Sequence, residues 1–177
     1  MKWQIAAAAL AVATLGAGPV FAQQVTKEKV EGVVNFARLE TTVACGGSTT
    51  PAALKELKRM GFTAVFNLRM PTEPGNDLVA EAAAAKEVGM NFIHIPYDVT
   101  KADATVGDKF LAEIKKPGNQ PAFIHCAGGG RAAGMWFIKR VVVDGWDEAK
   151  AMKEAVDLGL GNERVKQYAL EYVKTKK

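Results

Sequence analysis

The chain has 177 residues, of which 49% are hydrophobic and 24% are charged, and its formal net charge is +4. That length matches one ordinary domain with a buried core. The positive excess is too small and too scattered to indicate nucleic acid as a partner, although it suits a small anionic substrate. The two histidines and two cysteines show no clustered ligand spacing, so we predict no metal and no cofactor.

Residues 1–22 have the layout of a secretory signal peptide. Lys2 provides one positive charge, Ile5 to Leu15 are almost all apolar, and Val20-Phe21-Ala22 at the end of the segment fits a small-x-small cleavage site. We therefore expect cleavage after Ala22 and a single mature domain over residues 23–177, located in the periplasm or secreted. A membrane anchor is the alternative, but the apolar stretch is shorter than the roughly 20 residues that a spanning helix needs. No second long apolar run follows, so we expect no membrane span in the mature chain.

Beyond this segment, turn and cap residues divide the chain into alternating helices and strands. Pro51 begins a helix that Gly61 ends, and Val106, Phe110 and Ile114 form the apolar face of a later helix. The predicted order is a helix over 50–61, a strand over 63–68, a helix over 77–88, a strand over 91–95, a helix around 106–114 and a strand over 121–125. This alternation predicts an α/β fold with a central, mainly parallel β-sheet flanked by helices.

The part of the chain after residue 131 is predicted to be helical. Residues 132–143 are apolar nearly all round, which is typical of a buried helix, and Gly145 ends it. Two amphipathic helices, about Asp147 to Leu158 and Asn162 to Val173, would then close the domain.

One segment, His125-Cys126-Ala127-Gly128-Gly129-Gly130-Arg131, carries the residues best suited to chemistry. It joins a predicted strand to a predicted helix, where the carboxyl end of a sheet and unpaired helix N–H groups can meet an anion. Three glycines allow successive backbone N–H groups to converge on one oxyanion. The helix dipole and Arg131 favour the thiolate form of Cys126, and the guanidinium can hold two phosphate oxygens. This pattern predicts a cysteine-centred anion-binding site.

A structural explanation of the same residues is the alternative. Exported proteins with two cysteines commonly carry one disulfide, here Cys45 to Cys126, and glycine turns also serve packing alone. Neither explains why histidine, cysteine, glycines and arginine coincide at the start of a helix, so we favour the anion-binding site.

The chain resembles bacterial dual-specificity and tyrosine phosphatase-like proteins over nearly all of residues 23–177. The likeness rests on the segments Val34-Asn35-Phe36, Cys45 to Pro51, Leu57-Lys58, Val65 to Arg69, His94-Ile95-Pro96, the His125 to Arg131 loop and the helix from Gly134 to Trp146. The resemblance implies a cysteine-dependent hydrolase whose substrate is a phosphorylated small molecule or a phosphoprotein. It assigns Cys126 as the nucleophile that attacks phosphorus, Arg131 as the ligand of the phosphoryl oxygens, and His125 as a residue that tunes the thiolate.

Two features depart from the phosphatase pattern. Four residues, Ala127 to Gly130, separate Cys126 from Arg131 where the phosphatase signature has five, and Ala132 stands where phosphatases place Ser or Thr. The shorter spacing also resembles the loop of rhodanese sulfurtransferases, which hold a persulfide. Sulfur transfer or thiol redox chemistry at Cys126, and an anion-binding module without turnover, are therefore alternative functions.

A phosphatase also needs a general acid near the leaving oxygen. The resemblance places Asp98 there, 28 positions before the cysteine, ahead of Asp103 and Asp108. A turn or a helix cap is the alternative role for Asp98. Arg69 would add positive charge to the pocket, although an ion pair with Glu73 is favoured.

The resemblance also places Cys45 in a turn after an early strand, near the Cys126 loop. In the periplasm an unpaired reactive thiol is open to oxidation, so we predict a reversible bond between Cys45 and Cys126 that acts as a redox switch. Such a bond needs the two Cα atoms to lie within about 7 Å. The alternative is that Cys45 is a small buried residue that only packs.

Overall fold

The computed structural model describes residues 24–40 and 42–176. The predicted signal peptide and its cleavage site after Ala22 lie outside the described residues, so both stay predictions. Within residues 24–40 and 42–176, no helix is long and apolar enough to cross a membrane.

A six-stranded sheet forms the centre of the fold. The strands are β1 (Val25–Lys27), β2 (Ala37–Leu39), β3 (Val43–Gly46), β4 (Ala64–Asn67), β5 (Asn91–His94) and β6 (Ala122–His125). They lie in the order β1-β2-β3-β6-β4-β5, and β3, β6, β4 and β5 run parallel to one another. The predicted α/β class with a mainly parallel sheet is therefore confirmed. The prediction does not include the antiparallel pairs that β2 forms with β1 and β3.

Polar side chains fix where most of the helices begin. The helices are α1 (Leu54–Arg59), α2 (Leu78–Glu87), α3 (Ala104–Ile114), α4 (Gly130–Val142), α5 (Glu148–Asp157) and α6 (Glu163–Lys174), and a short 3₁₀ turn, Pro51–Ala53, leads into α1. The side chains of Asp77, Asp103, Asp147 and Asn162 accept hydrogen bonds from the first turns of α2, α3, α5 and α6. These caps satisfy N–H groups that have no partner inside the helix.

Helices cover both faces of the sheet. Phe66 and Ile124 pack with the buried side chains of α3 to α6, whereas Val65 and Phe123 pack with those of α1 and α2. This alternation follows from the two-residue period of a strand. Because residues 132–140 of α4 are all buried, the start of α4 is anchored to the core.

A buried carboxylate also fixes α4 against α5. Glu154 accepts hydrogen bonds from Trp136 Nε1 and from Arg140 Nε, each at 2.7 Å. Burying a carboxylate is costly unless it is paired and hydrogen-bonded, and here both conditions are met. The helix that carries the predicted anion-binding loop is therefore held by directional bonds as well as by packing.

Cys45 does not lie in the predicted turn. It is inside β3, all of whose residues are buried, and it pairs in register with Ile124 of β6. The chain leaves the strand only after Gly46, and Gly47 then forms an isolated bridge with Gly128. The early segment therefore does approach the Cys126 loop, but through Gly47 rather than through Cys45.

Candidate active site

The predicted loop forms a tight connection between β6 and α4, at the carboxyl edge of the parallel strands. Gly129, the residue before α4, has a φ of +100°, a left-handed conformation that glycine adopts without a Cβ penalty. The N–H of Gly129 donates to the sulfur of Cys126, with an N–S distance of 3.1 Å. The N–H groups of Gly130, Arg131 and Ala132 follow in the first turn of α4, where a helix provides them with no acceptor. The loop thus supplies the donors that an oxyanion needs.

Residues from the amino-terminal part of the chain brace this loop. The N–H of Ser48 donates to the carbonyl of Ala127 at 2.9 Å, and Asn35 Nδ2 donates to the carbonyl of Gly128 at 3.2 Å. Gly47 leaves room for this contact, because a Cβ at that position would lie 2.7 Å from the Ala127 carbonyl oxygen. The loop geometry therefore depends on a close backbone approach that only glycine permits at position 47.

Arg131 projects from the first turn of α4, and its guanidinium is held by three groups. Nη1 and Nη2 donate to the two oxygens of Glu73 at 2.7 and 2.8 Å. Nη1 also donates to the carbonyls of Leu68 and Tyr97, at 3.1 and 2.8 Å. Burial acts to lower the pKa of Arg131, but the hydrogen bond to Glu73 and the nearby Cys126 outweigh it and raise the pKa. Arg131 is therefore a fixed positive charge beside the cysteine.

Glu73 is a partner of Arg131 that the sequence analysis did not predict. It also pairs with Arg69 at 3.3 Å, which confirms the predicted Arg69–Glu73 ion pair, and it accepts from the N–H of Met70 at 2.8 Å. Burial raises the pKa of Glu73, but the hydrogen bonds from Arg131 and Met70 outweigh it and hold the pKa below its ordinary value. The Arg69–Glu73 pair could be predicted because the two residues are four positions apart, a spacing that is typical of ion pairs on a helix. The Glu73–Arg131 pair could not be predicted, because 58 positions separate the two residues.

His125 is buried behind the loop in a polar network. Its ring stacks on Phe123, with centroids 5.6 Å apart, and its Nε2–H donates to Glu81 Oε1 at 2.7 Å. The other oxygen of Glu81 accepts from Asn67 Nδ2 at 2.6 Å. Because His125 is only 1% exposed, it can support the Cys126 loop from behind but is not placed to touch a substrate. Glu81 and Asn67 are further supporting residues, and no local pattern in the sequence marks them.

A cavity of about 530 Å³ opens in front of the loop. Its lining includes loop residues Cys126 to Gly128 together with Arg131, Glu73, Tyr97 and Asp98. Cys126 is 2% exposed and lines this cavity, which therefore offers a route to its sulfur. The volume lies in the range of small-molecule sites, and the convergent donors can fix an anion within it.

Asp98, the predicted acid, lines this cavity but is also engaged in a turn. Its Oδ1 accepts from the N–H of Thr100 at 2.9 Å and from the Thr100 hydroxyl at 2.7 Å. These hydrogen bonds hold the pKa of Asp98 below its ordinary value. The two competitors have structural roles elsewhere, since Asp103 caps α3 and Asp108 accepts from the Tyr172 hydroxyl at 2.6 Å. Asp98 thus combines the location expected of an acid with the bonds of a turn aspartate.

The two cysteines are both buried and free. Burial raises the pKa of the Cys45 thiol well above its ordinary value, and Cys126 and Glu154 act in the same direction. Cys45 pairs with Ile124, two residues before Cys126, on the neighbouring strand. With strands about 4.8 Å apart and a rise of about 3.3 Å per residue, the two cysteine Cα atoms are about 8 Å apart. The predicted redox bond therefore needs the backbone to move.

Fold and site together define a class of protein. Cys126 directly follows a central parallel strand, the N–H of Gly129 donates to its sulfur, and Arg131 lies in the first turn of the next helix. This is the arrangement of cysteine-dependent phosphatase-like proteins. The family model described as "PTP-NADK: DSP-PTPase phosphatase fused to NAD+ Kinase" matches residues 19–171. The chain belongs to this family, which confirms the resemblance to dual-specificity and tyrosine phosphatase-like hydrolases.

Solved structures share the fold at low sequence identity. A DUF442 protein of Shewanella putrefaciens has a TM-score of 0.68 at 17% identity, covering 83% of this chain and 94% of that chain. TpbA of P. aeruginosa in complex with pTyr has a TM-score of 0.64 at 18% identity, covering 88% and 91%. The core catalytic domain of the PP-IP phosphatase SIW14 of S. cerevisiae, in complex with citrate, has a TM-score of 0.62 at 16% identity, covering 77% and 84%. No curated protein sequence matches the chain significantly.

Proposed function

We propose that the chain hydrolyses phosphate monoesters through a cysteinyl-phosphate at Cys126. The thiolate attacks phosphorus, the P–O bond to the alcohol breaks, and the alcohol oxygen takes a proton from an acid. Water then attacks phosphorus, the S–P bond breaks, and inorganic phosphate and the thiolate are released. The observation that carries this proposal is the N–H of Gly129 at 3.1 Å from the sulfur, because a charge-assisted donor there stabilises the thiolate.

Arg131 acts on the phosphoryl oxygens in this mechanism. A guanidinium has five N–H donors. Glu73, Leu68 and Tyr97 accept hydrogen bonds from Nη1 and Nη2 of Arg131, and a side-chain hydrogen bond to Cys126 also helps to raise the pKa of Arg131. The guanidinium beside the sulfur and the N–H groups at the start of α4 can therefore bind the phosphoryl oxygens as charge develops on them.

Asp98 is the proposed acid for the leaving oxygen. Its position in the cavity supports this role, whereas its lowered pKa opposes it in the protein without substrate. A phosphate dianion bound a few ångströms away raises the pKa of a neighbouring carboxyl, because like charges disfavour ionisation. Asp98 is therefore proposed to gain its proton together with substrate binding.

The cellular setting and the substrate are also part of the proposal. The layout of residues 1–22 supports export to the periplasm or beyond, with cleavage after Ala22. The substrate would be a phosphorylated small molecule or a phosphoprotein. The complex of TpbA with pTyr supports an aryl phosphate as the first substrate to try.

Sulfur transfer is the second candidate function. The four-residue spacing between Cys126 and Arg131, and Ala132 in place of Ser or Thr, favour it. In that reaction the Cys126 thiolate would take the outer sulfur of thiosulfate as a persulfide and release sulfite. If neither a phosphate ester nor thiosulfate reacts, the remaining function is an anion-binding module without turnover.

Mass spectrometry of Cys126 distinguishes these functions. We expect wild-type protein incubated with p-nitrophenyl phosphate to release phosphate and to carry a phosphate adduct on Cys126. Cys126→Ser should abolish both and keep the fold, because serine has no comparable activation here. Cys45→Ala is the matched control and should retain turnover. Equal phosphate release by wild type and Cys126→Ser would refute the proposal, and a persulfide formed from thiosulfate without phosphate release would establish the second candidate.

A further inference from the structure

A second cavity adjoins the one in front of Cys126. Its volume is about 510 Å³, and it shares Gly128 and Gly159 with the first cavity, so the two meet at the rim of the cysteine loop. Lys27 and Lys29, at the end of β1 and just after it, line this second cavity. The mechanism proposed above uses neither lysine.

The second cavity carries a local positive charge. Lys27 and Lys29 are exposed, and neither side chain forms an ion pair or hydrogen bond within the part of the chain that the structure describes. The acidic residue between them, Glu28, is already paired with Arg38 at 2.8 Å. Two ammonium groups are therefore available to an anion, in a concave surface that continues the proposed catalytic cavity.

A third cavity continues this concave surface beyond the second one. This cavity of about 450 Å³ shares Lys29 and Val33 with the second and reaches Thr49 and Pro51, with Glu31 on its border. Three adjoining cavities of about 530, 510 and 450 Å³ together exceed the roughly 300 to 1,000 Å³ of a small-molecule site. An extended polypeptide fits this shape better than a single small ligand.

The sheet geometry sets the spacing between the two charged sites. In the order β1-β2-β3-β6, three strand spacings separate β1 from β6. At about 4.8 Å per spacing, β1 and β6 are about 14 Å apart. A lysine side chain on β1 can reach several ångströms of that distance towards the Cys126 cavity. An extended peptide rises about 3.3 Å per residue, so the second anion would lie two to four residues from the phosphorylated one.

We infer that Lys27 and Lys29 form a specificity site that binds an acidic side chain of a phosphopeptide while its phosphorylated residue occupies the Cys126 cavity. This inference rests on the proposed function and adds the substrate class to it. Because both lysines are exposed, the attraction is screened by salt and moderate in size.

The test compares phosphotyrosine peptides that differ in charge two to four residues from the phosphotyrosine. One peptide has glutamates on the amino-terminal side, one has them on the carboxyl-terminal side, and the reference peptide has glutamines at all these positions. We expect the wild type to prefer one glutamate peptide by about fivefold in kcat/KM at low salt, as exposed ion pairs allow. Lys27→Gln/Lys29→Gln should abolish that preference and leave p-nitrophenyl phosphate hydrolysis unchanged.

A control variant with the same change in net charge is Lys109→Gln/Lys174→Gln, since neither lysine lines the three cavities. It should keep the preference. Equal kcat/KM for all three peptides in the wild type, or a preference that survives in Lys27→Gln/Lys29→Gln, would overturn the inference. So would a lysine-dependent preference for a hexose bisphosphate over a hexose monophosphate without any effect on peptides.

Binding measurements separate this inference from the proposed function. Cys126→Ser is expected not to turn over, so fluorescence anisotropy with labelled peptides would give the dissociation constants directly. If no substrate is hydrolysed but Cys126→Ser binds the glutamate peptide about fivefold more tightly, and the lysine variant does not, the specificity site stands and the hydrolase proposal fails. Equal affinities for the glutamate and glutamine peptides would remove the specificity site whether or not the protein is a hydrolase.

Discussion

Arg131 and Glu73 form a two-pronged ion pair, with N–O distances of 2.7 and 2.8 Å. Glu73 orients the guanidinium but also places a negative charge in a cavity proposed to receive a phosphate dianion. We expect Glu73→Gln to lower kcat for p-nitrophenyl phosphate by about tenfold, because a misdirected guanidinium stabilises the transition state less well. KM should not rise, because the repulsion of the dianion is removed at the same time.

The control for this variant is Glu56→Gln. Glu56 also pairs with an arginine, since it accepts from Arg59 Nε at 2.7 Å, but that pair is on the surface of α1. Glu56→Gln should leave both kcat and KM for p-nitrophenyl phosphate unchanged. A rise in KM with an unchanged kcat for Glu73→Gln would contradict the positioning role and make Glu73 a binding residue instead.

The fold could be predicted where short-range chemistry determines it. Asp77, Asp103, Asp147 and Asn162 cap the helices that the sequence predicts, and the buried parallel strands are short apolar runs. β1 and β2 have three residues each, too few to show a period, and their antiparallel pairing depends on contacts between separate segments.

The candidate site divides in the same way. The cysteine, the glycines and the arginine are adjacent in sequence, so their meeting follows from one strand-to-helix turn. Their supporting partners are distant, because Glu81 is 44 positions from His125 and Asn35 is 93 positions from Gly128. Nothing local in the sequence marks those partners, and only the packed sheet brings them to the loop.

Asp98 and Asp103 allow a matched test of the acid. Each accepts from the N–H and the hydroxyl of a threonine two residues later, but only Asp98 lines the cavity. We expect Asp98→Asn to lower turnover of an alkyl phosphate by about 100-fold or more, with a smaller loss on an activated aryl ester, and Asp103→Asn to change neither. A small and equal loss on both esters for Asp98→Asn would make it a turn residue only.

The pH dependence follows from the direction of the Asp98 shift. The pKa of Asp98 is lowered by its hydrogen bonds to Thr100, so in the free protein its protonated fraction grows as pH falls towards the acid range. The ratio of kcat/KM for wild type over Asp98→Asn should therefore rise as the pH is lowered from 7 to 5 on an alkyl phosphate. Taking the ratio cancels any pH dependence that the two proteins share. A ratio that stays constant over this range would exclude Asp98 as the acid.

Gly129 and Gly61 have the same φ of +100° but different surroundings. Gly61 ends α1 at an exposed position, whereas the N–H of Gly129 bonds to the Cys126 sulfur. Alanine should cost about 1 to 2 kcal/mol of unfolding free energy at either site, because a Cβ is strained in this conformation. Only Gly129→Ala should also lower turnover, by about tenfold or more, because the altered backbone would turn the N–H of residue 129 away from the Cys126 sulfur. Urea unfolding and phosphate release measure the two effects, and equal activity of both variants would show that the donor is dispensable.

The last prediction concerns the two thiols. Cys45 lies in a strand paired on both sides, its pKa is raised by burial, and its Cα is about 8 Å from that of Cys126 by the spacing of adjacent strands. A disulfide requires about 7 Å or less and an attacking thiolate, so bond formation requires both loop movement and ionisation at Cys126. We therefore expect a peptide map of the native protein to show both thiols free, with Cys126 alkylated through its cavity and Cys45 alkylated only after unfolding.

Mild oxidation should inactivate wild type and Cys45→Ala at equal rates. A cross-linked peptide containing Cys45 and Cys126, together with protection of wild type but not Cys45→Ala against irreversible oxidation, would instead establish the redox switch that the sequence suggests.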